Sequence, residues 1–138
     1  MRLAYLTTDE VNQALAPEMA HECGVTVHPL WPKDPPPGGE YDAVLYDWDS
    51  WPADRRQQFL AGLGKAPLHR PAAVHGYHLT DEQAEALRRH GVAVHRSLRP
   101  EVFRLLRRAA SPAHAADPEQ KFLRAGPLPA TSLPGFPR

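Results

Sequence analysis

The sequence has one cysteine, no long apolar run and no excess of either charge, and each absence excludes a class of protein. Cys23 alone cannot form a disulfide within the chain or a cysteine-based zinc site. No stretch approaches the roughly 20 apolar residues of a membrane span, so no transmembrane segment is predicted. No long apolar run follows Arg2, so no signal peptide is predicted either. The default expectation is a soluble cytoplasmic protein.

Charge and glycine patterns argue against nucleic acid and against nucleotide binding. The formal net charge is +0, and no aromatic residues interleave with the basic ones, so nucleic acid is not a predicted partner. No Gly-rich loop joins a strand to a helix, so no phosphate loop is predicted. The charge is uneven, however, because the first 55 residues hold ten acids but only three bases. This polarity is most simply explained by two sides of one fold that complement each other, and an acidic protein is expected before nucleic acid if the basic half meets a partner.

Apolar runs and helical patterns alternate along the first 110 residues. Five short apolar runs are typical of buried strands. Between them lie amphipathic segments, of which the clearest has a capping box of Thr80 and Gln83 and ends at Gly91. Thr8 is the predicted N-cap of the first helix. The predicted strands span residues 2–6, 25–30, 42–47, 71–76 and 92–96, and helices precede Gly24 and span 52–64, 79–91 and 99–110.

This alternation predicts an α/β fold, with a parallel sheet covered by helices on both faces. Five strands fit the flavodoxin-like, three-layer order 2-1-3-4-5. The segment 31–40 is too rich in proline and glycine for a helix, so a loop is expected there in place of a second helix. Residues 1–110 form the predicted domain. Residues 111–138 carry six prolines and are expected to be a largely disordered tail, or else a docking peptide.

A cluster of carboxyl groups follows the third predicted strand, in the stretch "YDAVLYDWDSWP". Asp47 closes that strand, and Thr7, Thr8 and Asp9 follow the first strand, which is its neighbour in the predicted order. Ligands of such sheets bind beyond the carboxyl ends of the strands, so these side chains are expected to face one crevice. Carboxylates there suit Mg²⁺, and they suit a nucleophile that takes up a phosphoryl group.

On these residues the chain resembles the receiver domain of two-component response regulators over residues 1–110. "DAVLYD" is similar to the family's third strand, which an aspartate opens and the phospho-acceptor aspartate closes. "GVAVHRSLRPEVFRLLRRA" (91–109) is similar to its fifth strand, lysine–proline step and last helix. The resemblance implies that Asp47 is the acceptor and that Arg99 stands where the family has its lysine.

The departures from the family pattern point to a degenerate member, a pseudo-receiver. Thr7 and Thr8 occupy the positions of the family's acidic pair, and Gly76 that of a small hydroxyl residue. An arginine at position 99 keeps the charge but differs in shape from a lysine. The proline after the acceptor comes one residue late, at Pro52. A degenerate receiver implies a non-catalytic signalling module that binds a protein partner through the face of strands four and five.

Two alternatives stay open. A functional receiver would hold Mg²⁺ with Asp9, Asp47 and the backbone carbonyl of Asp49, and would have a histidine kinase as its partner. A small metal-dependent enzyme would use Asp9, Asp47 and His75, because His75 lies near the end of the strand predicted to be next to that of Asp47. Structural or surface roles are the commoner ones for histidines. Trp48, directly after Asp47, is expected either to cover the crevice or to pack against the proline-rich loop.

Overall fold

Strands and helices alternate along the chain in the computed structural model, which describes residues 1–31, 39–65, 68–69 and 71–111. The elements are β1 (Arg2–Leu6), α1 (Glu10–His21), β2 (Thr26–Leu30), β3 (Ala43–Asp47), α2 (Ala53–Gly62), β4 (Ala72–His75), α3 (Asp81–Arg89), β5 (Ala93–His95) and α4 (Pro100–Ala110). A 3₁₀ turn, Trp48–Ser50, follows β3. The predictions for most of the proline-rich loop and for the tail lie outside the described residues.

The five strands form one parallel sheet in the order β2-β1-β3-β4-β5, which confirms the flavodoxin-like α/β fold. β3 lies at the centre, and all five of its residues are buried because helices cover both faces of the sheet. β1 and β4 flank it, with Leu6 opposite Tyr46 and Asp47 opposite His75. The carboxyl ends of these three strands therefore meet at one edge of the sheet.

Each face of the sheet has its own apolar cluster, since side chains alternate along a strand. Leu3 and Tyr5 of β1 point to the face that α1 and α4 cover, where Phe103 is buried. Ala4 and Leu6 point to the opposite face, where Leu87 of α3 and residues of α2 pack. Burying a side chain such as Leu or Phe stabilises a fold by about 1.5–3 kcal/mol. None of the helices in the described ranges is long and apolar enough to cross a bilayer.

Side-chain caps fix where the helices begin. The predicted capping box of α3 is confirmed, because Thr80 accepts from the Gln83 backbone and Gln83 accepts from the Thr80 backbone. The predicted cap of α1 was wrong by one residue. Asp9 is the N-cap and accepts from the Asn12 backbone, whereas the Thr8 hydroxyl donates to the Ser50 carbonyl, 2.8 Å away. The Thr8 hydroxyl, which the sequence predicted to cap α1, therefore bonds the turn after β3 instead.

Gly76, directly after β4, lies where there is no room for a side chain. A Cβ atom at this position would come within 2.9 Å of the Cβ of Trp48 and 3.1 Å of Oδ1 of Asp49. The Trp48 Cβ cannot move aside easily, because its ring is fully buried among other aromatic side chains. Glycine is therefore needed at position 76 for space.

We predict that Gly76→Ala lowers the free energy of unfolding by about 1–3 kcal/mol, the usual cost of overpacking. The measurement is urea denaturation, with Gly62→Ala as the matched control. Nothing lies within 4 Å of a Cβ at Gly62, the last residue of α2. The control is expected to be neutral or stabilising by up to about 1 kcal/mol. A Gly76→Ala variant as stable as the wild type would contradict this account of the close contact.

Candidate functional site

A cleft of about 330 Å³ opens at the carboxyl edge of the sheet, where β1, β3 and β4 end. Asp47 and His75, the last residues of β3 and β4, line it together with Asp9 and Asp49 from the segments that follow β1 and β3. Leu15 and Met19 of α1 and Leu98, which precedes α4, add aliphatic surface. The structure therefore brings together the carboxyl groups that the sequence predicted to share a crevice.

Two neighbouring elements hold the carboxyl group of Asp47, which is only 1% exposed. The Thr7 hydroxyl, at the end of β1, donates to Oδ2 over 2.7 Å. The side-chain amide of Asn12, in the first turn of α1, donates to the same oxygen over 3.0 Å. These donors offset the cost of burying Oδ2, which would otherwise be several kcal/mol. Asp47 is thus held by hydroxyl and amide groups.

The second oxygen of Asp47, Oδ1, lies on the side of the carboxyl group that His75 approaches, and Asp47 also interacts with the nearby Tyr5 hydroxyl. The nearest ring nitrogen is Nε2 of His75, at 3.7 Å, which is too far for a hydrogen bond. The register of β3 and β4 places these two side chains side by side, as the sequence predicted. Asp47 also lines the cleft, so this carboxyl group borders the space that is open to a ligand.

Thr7 also ties Asp47 to the start of α1. Its hydroxyl oxygen accepts from the backbone N–H of Asp9 over 3.0 Å while its hydrogen goes to Asp47. The Asp9 carboxyl in turn caps the Asn12 backbone over 3.0 Å. The same helical turn that is capped by Asp9 therefore presents the Asn12 amide to Asp47. The end of β1, the N-cap of α1 and the acidic floor of the cleft form one hydrogen-bonded unit.

His75 forms a hydrogen bond with Tyr5 beneath the cleft. Its Nε2 lies 2.7 Å from the Tyr5 hydroxyl, and the histidine is only 4% exposed. Burial lowers the pKa of His75 below its ordinary value, and the nearby Asp47 opposes part of this effect. Burial first, and Asp47 second, raise the pKa of the Tyr5 phenol well above its usual range. At neutral pH the pair is a neutral phenol bonded to a neutral imidazole.

The remaining acidic residues of the cleft already accept hydrogen bonds from the backbone. Asp49 accepts from the backbone N–H groups of Tyr77 and His78, over 2.7 and 3.1 Å, and so fixes the loop between β4 and α3. Asp9 caps α1. Across the described part of the chain, no three His, Cys, Asp or Glu side chains are arranged to hold a metal ion. Asp9, Asp47 and Asp49, the predicted magnesium set, all line this cleft. That set uses the backbone carbonyl of Asp49 and stays a prediction.

Arg99 does not reach Asp47. Its Nε donates to Oγ of Ser97 over 2.9 Å, and it lies just before α4. Among the described residues that line the cleft there is no lysine or arginine. The cleft therefore has negative groups without a positive one, an arrangement suited to accepting a cation. A phosphoryl group on Asp47 would add negative charge beside Asp9 and Asp49 with no facing cation to neutralise it.

Sequence reasoning placed Asp47 and His75 correctly but missed the roles of Asn12 and Tyr5. The signal for Asn12 is its place three residues after an N-cap, in a turn that faces the sheet edge.

Trp48 was expected to cover the crevice or to pack on the proline-rich loop. It does not line the cleft but is fully buried beside Trp51 and Phe59 on the α2 and α3 face.

Comparisons with protein-family models, curated proteins and solved structures found no significant match to this chain. The fold and the geometry of the cleft are therefore the basis of the functional argument that follows.

We predict that Thr7→Val destabilises the fold by about 1–3 kcal/mol, because it leaves a buried oxygen of Asp47 with one donor fewer. Thr8→Val is the matched control, since its hydroxyl bonds a carbonyl that is only partly buried. We expect the control to cost less than Thr7→Val in the same chemical denaturation experiment. Equal losses of stability in both variants would show that the Thr7–Asp47 bond contributes no more to folding than the Thr8–Ser50 bond.

Stability is predicted to fall as the pH drops below about 6.5, where histidines of the unfolded chain take up protons. Burial lowers the pKa of both His75 and His95, so the folded state stays unprotonated through this range. The unfolded state then binds more protons, and each such histidine contributes a slope of up to about 1.4 kcal/mol per pH unit.

The measurement is the free energy of unfolding between about pH 7.5 and pH 5 in wild type and in His75→Gln. The variant is expected to show a shallower slope, because one of the two proton-binding differences is gone. His78→Gln removes an exposed imidazole close by and controls for the substitution itself. An unchanged slope in His75→Gln would contradict the assignment of a lowered pKa to this residue.

Proposed function

We propose that this chain is a receiver-like signalling module that acts by binding a protein partner and not by phosphoryl transfer. The observation that carries the proposal is the environment of Asp47, the residue at the acceptor position. Its Oδ2 is held by Thr7 and Asn12, and no cation of the described residues faces it. A carboxyl group with these partners serves as a structural element of the cleft floor.

The fold supports the comparison with receivers. The sheet has the order β2-β1-β3-β4-β5, and Asp47 ends the central strand beside the end of β1, at the switch point where ligands of such sheets bind. The fold by itself hosts many functions, so the argument depends on the residues around Asp47.

The residues around Asp47 differ from those at the same positions of receivers, both in identity and in the contacts that they make. Thr7, at the first acidic position of the family, donates a hydrogen bond to Asp47, whereas an acid there would bind metal. Arg99, at the lysine position, bonds Ser97. Gly76, at the hydroxyl position, has no space for a side chain beside Trp48. Three supporting groups of phosphoryl transfer are thus replaced by groups with other contacts, which favours a pseudo-receiver.

The partner surface is proposed to lie at the strand four and strand five side of the molecule. Tyr77, in the loop after β4, is 73% exposed, and tyrosines are common at the centres of protein interfaces. Ser97 and Leu98 follow β5 and line the same cleft. The loops that end β4 and β5 therefore offer an exposed aromatic ring beside a cleft. A cytoplasmic location remains part of this proposal.

A phosphorylatable receiver is the second candidate, and one observation favours it. Asp47 belongs to the lining of a cleft that Asp9 and Asp49 share, so its carboxyl group borders the space that a phosphodonor and Mg²⁺ would enter. Under this alternative Mg²⁺ would be needed and a histidine kinase would be the partner. The described side chains do not converge as metal ligands, which counts against both this candidate and an enzyme using Asp9, Asp47 and His75.

We predict that incubation with Mg²⁺ and acetyl phosphate adds no phosphoryl group to the protein, as read by intact mass. We also predict that Mg²⁺ with beryllofluoride, which needs no phosphodonor chemistry, leaves the tryptophan fluorescence of wild type unchanged. Trp48 follows Asp47 directly, but its ring is buried on the α2 and α3 face. The fluorescence therefore reports occupancy only through the backbone that joins the two residues, and intact mass is the primary readout.

Asp47→Asn is the control for both measurements, because it removes the acceptor and keeps the size of the side chain. A saturable fluorescence change or a phosphorylated mass in wild type, absent from Asp47→Asn, would establish the phosphorylatable receiver and overturn the proposed function.

A further inference from the structure

The second helix, α2, is the least firmly anchored of the described helices. None of its ten residues is buried, whereas α1, α3 and α4 each bury two or three. Pro52, at its N-cap, makes no side-chain hydrogen bond, whereas Asp9 and Thr80 cap α1 and α3. Elements with few buried groups open at a lower free energy than the rest of a fold, and the loss of a cap adds to this effect.

The main attachment of α2 is the half-buried ring of Phe59. Its centroid lies 4.9 Å from that of Tyr46, 5.7 Å from that of Trp51 and 6.2 Å from that of Trp48. These three partners belong to β3 and to the turn that follows it, and Leu60 adds a second half-buried contact with the same apolar cluster. The helix therefore lies on an aromatic surface that other elements hold in place.

This aromatic surface contains two polar groups that lack partners. Trp48 is fully buried, Trp51 is 6% exposed, and their rings stack with centroids 6.3 Å apart. Both Nε1 atoms are buried, and neither has an acceptor among the described residues. An indole N–H can only donate, so each bears the full cost of desolvation while it is covered. Water would accept from both groups if the cover moved, and the two indoles thus favour an open state independently of how α2 is anchored.

The ends of α2 are suited to a change of backbone direction. Gly62 is its last residue, and a Cβ atom there would meet nothing within 4 Å. Gly64 follows with a φ of 80°, in the left-handed region. Hinges are commonly a few residues at the ends of elements, and they are often small. At the other end the helix begins directly after Trp51, which stays with the turn that follows β3.

We propose that α2 is a lid, which opens while the sheet and the other helices stay folded and which thereby brings the indole N–H groups of Trp48 and Trp51 to water. The inference goes beyond the proposed function and does not rest on it, because neither indole nor Phe59 lines the cleft. The fold then has two states that differ in exposed aromatic surface. A molecule that binds only the open state would increase its population.

The test is hydrogen exchange in the full-length, ¹⁵N-labelled protein, followed by NMR. The three indole N–H signals are assigned by single Trp→Phe substitutions, and Trp31, at 58% exposure, is the unprotected reference. After correction for intrinsic rates, Trp48 and Trp51 should share one opening equilibrium that is on the order of 100-fold more populated than that of the slowest backbone amides. Their exchange should also rise less steeply with urea, because opening exposes less surface than unfolding.

Variants separate this opening from global unfolding. Phe59→Ala should speed exchange of both indoles about tenfold, because it removes the main attachment. Gln58→Ala, at the exposed neighbouring position, is the matched control and should leave the rates unchanged. Val102→Ala, buried on the opposite face of the sheet, should speed the slowest amides about tenfold and leave the indoles unchanged, since Val102 stays packed in the open state. Phe59→Leu gives the same comparison with a smaller effect if Phe59→Ala does not fold.

Four outcomes would overturn the lid. Indoles protected as strongly as the slowest amides, or speeded equally by Val102→Ala, would mean that only global unfolding exposes them. Exchange that does not depend on urea would mean that water reaches the N–H groups without an opening. Fast exchange of Trp51 alone would confine the motion to the rim of the aromatic surface. A response to beryllofluoride would remove the proposed function and leave the lid standing, so the two inferences fail separately.

Discussion

A carboxyl group buried at the end of a central strand needs donors, and here that requirement organises the whole carboxyl edge of the sheet. Asp47 obtains its donors from the end of β1 and from the first turn of α1. Thr7 can donate only because β1 lies next to β3, and Asn12 only because Asp9 begins the helix where it does. Desolvation makes each of these bonds matter more than it would on the surface. The position of the first helix and the floor of the cleft are therefore set by the same hydrogen bonds.

The same constraint accounts for the chemistry of the cleft. With Oδ2 occupied by neutral donors and Arg99 bonded to Ser97, no positive side chain among the described residues of the cleft lining faces Asp47, whereas phosphoryl transfer relies on such groups. The neutral pair of Tyr5 and His75 lies below it and adds no charge at neutral pH. What remains is negative, partly aliphatic and open on one side. These properties are the ones expected of the receiver-like, partner-binding module proposed above.

The sequence was sufficient for the elements and the strand order, because apolar periodicity and helix caps are local signals. Thr80 and Gln83 are an example, since both halves of their capping box lie within four residues. The sequence also predicted that Asp47 and His75 lie side by side, because the carboxyl ends of adjacent parallel strands lie at the same edge of a sheet. It was not sufficient for Thr8, whose hydroxyl bonds Ser50 far along the chain, nor for Trp48, whose side chain turns to the other face. Such choices depend on packing between elements, which no local pattern specifies.

The most direct test of this account is a double-mutant cycle between Thr7→Val and Asp47→Leu, with each free energy of unfolding measured by urea denaturation. Leucine has nearly the shape of aspartate without its polar atoms. Each single variant removes one partner of the Thr7–Asp47 bond, although Asn12 still donates to Asp47 in Thr7→Val, and the double variant removes both partners. We expect the double variant to lose less than the combined losses of the single variants, by about 0.5–3 kcal/mol. Strictly additive losses would mean that Thr7 and Asp47 are not coupled, and that Asp47 is held in some other way.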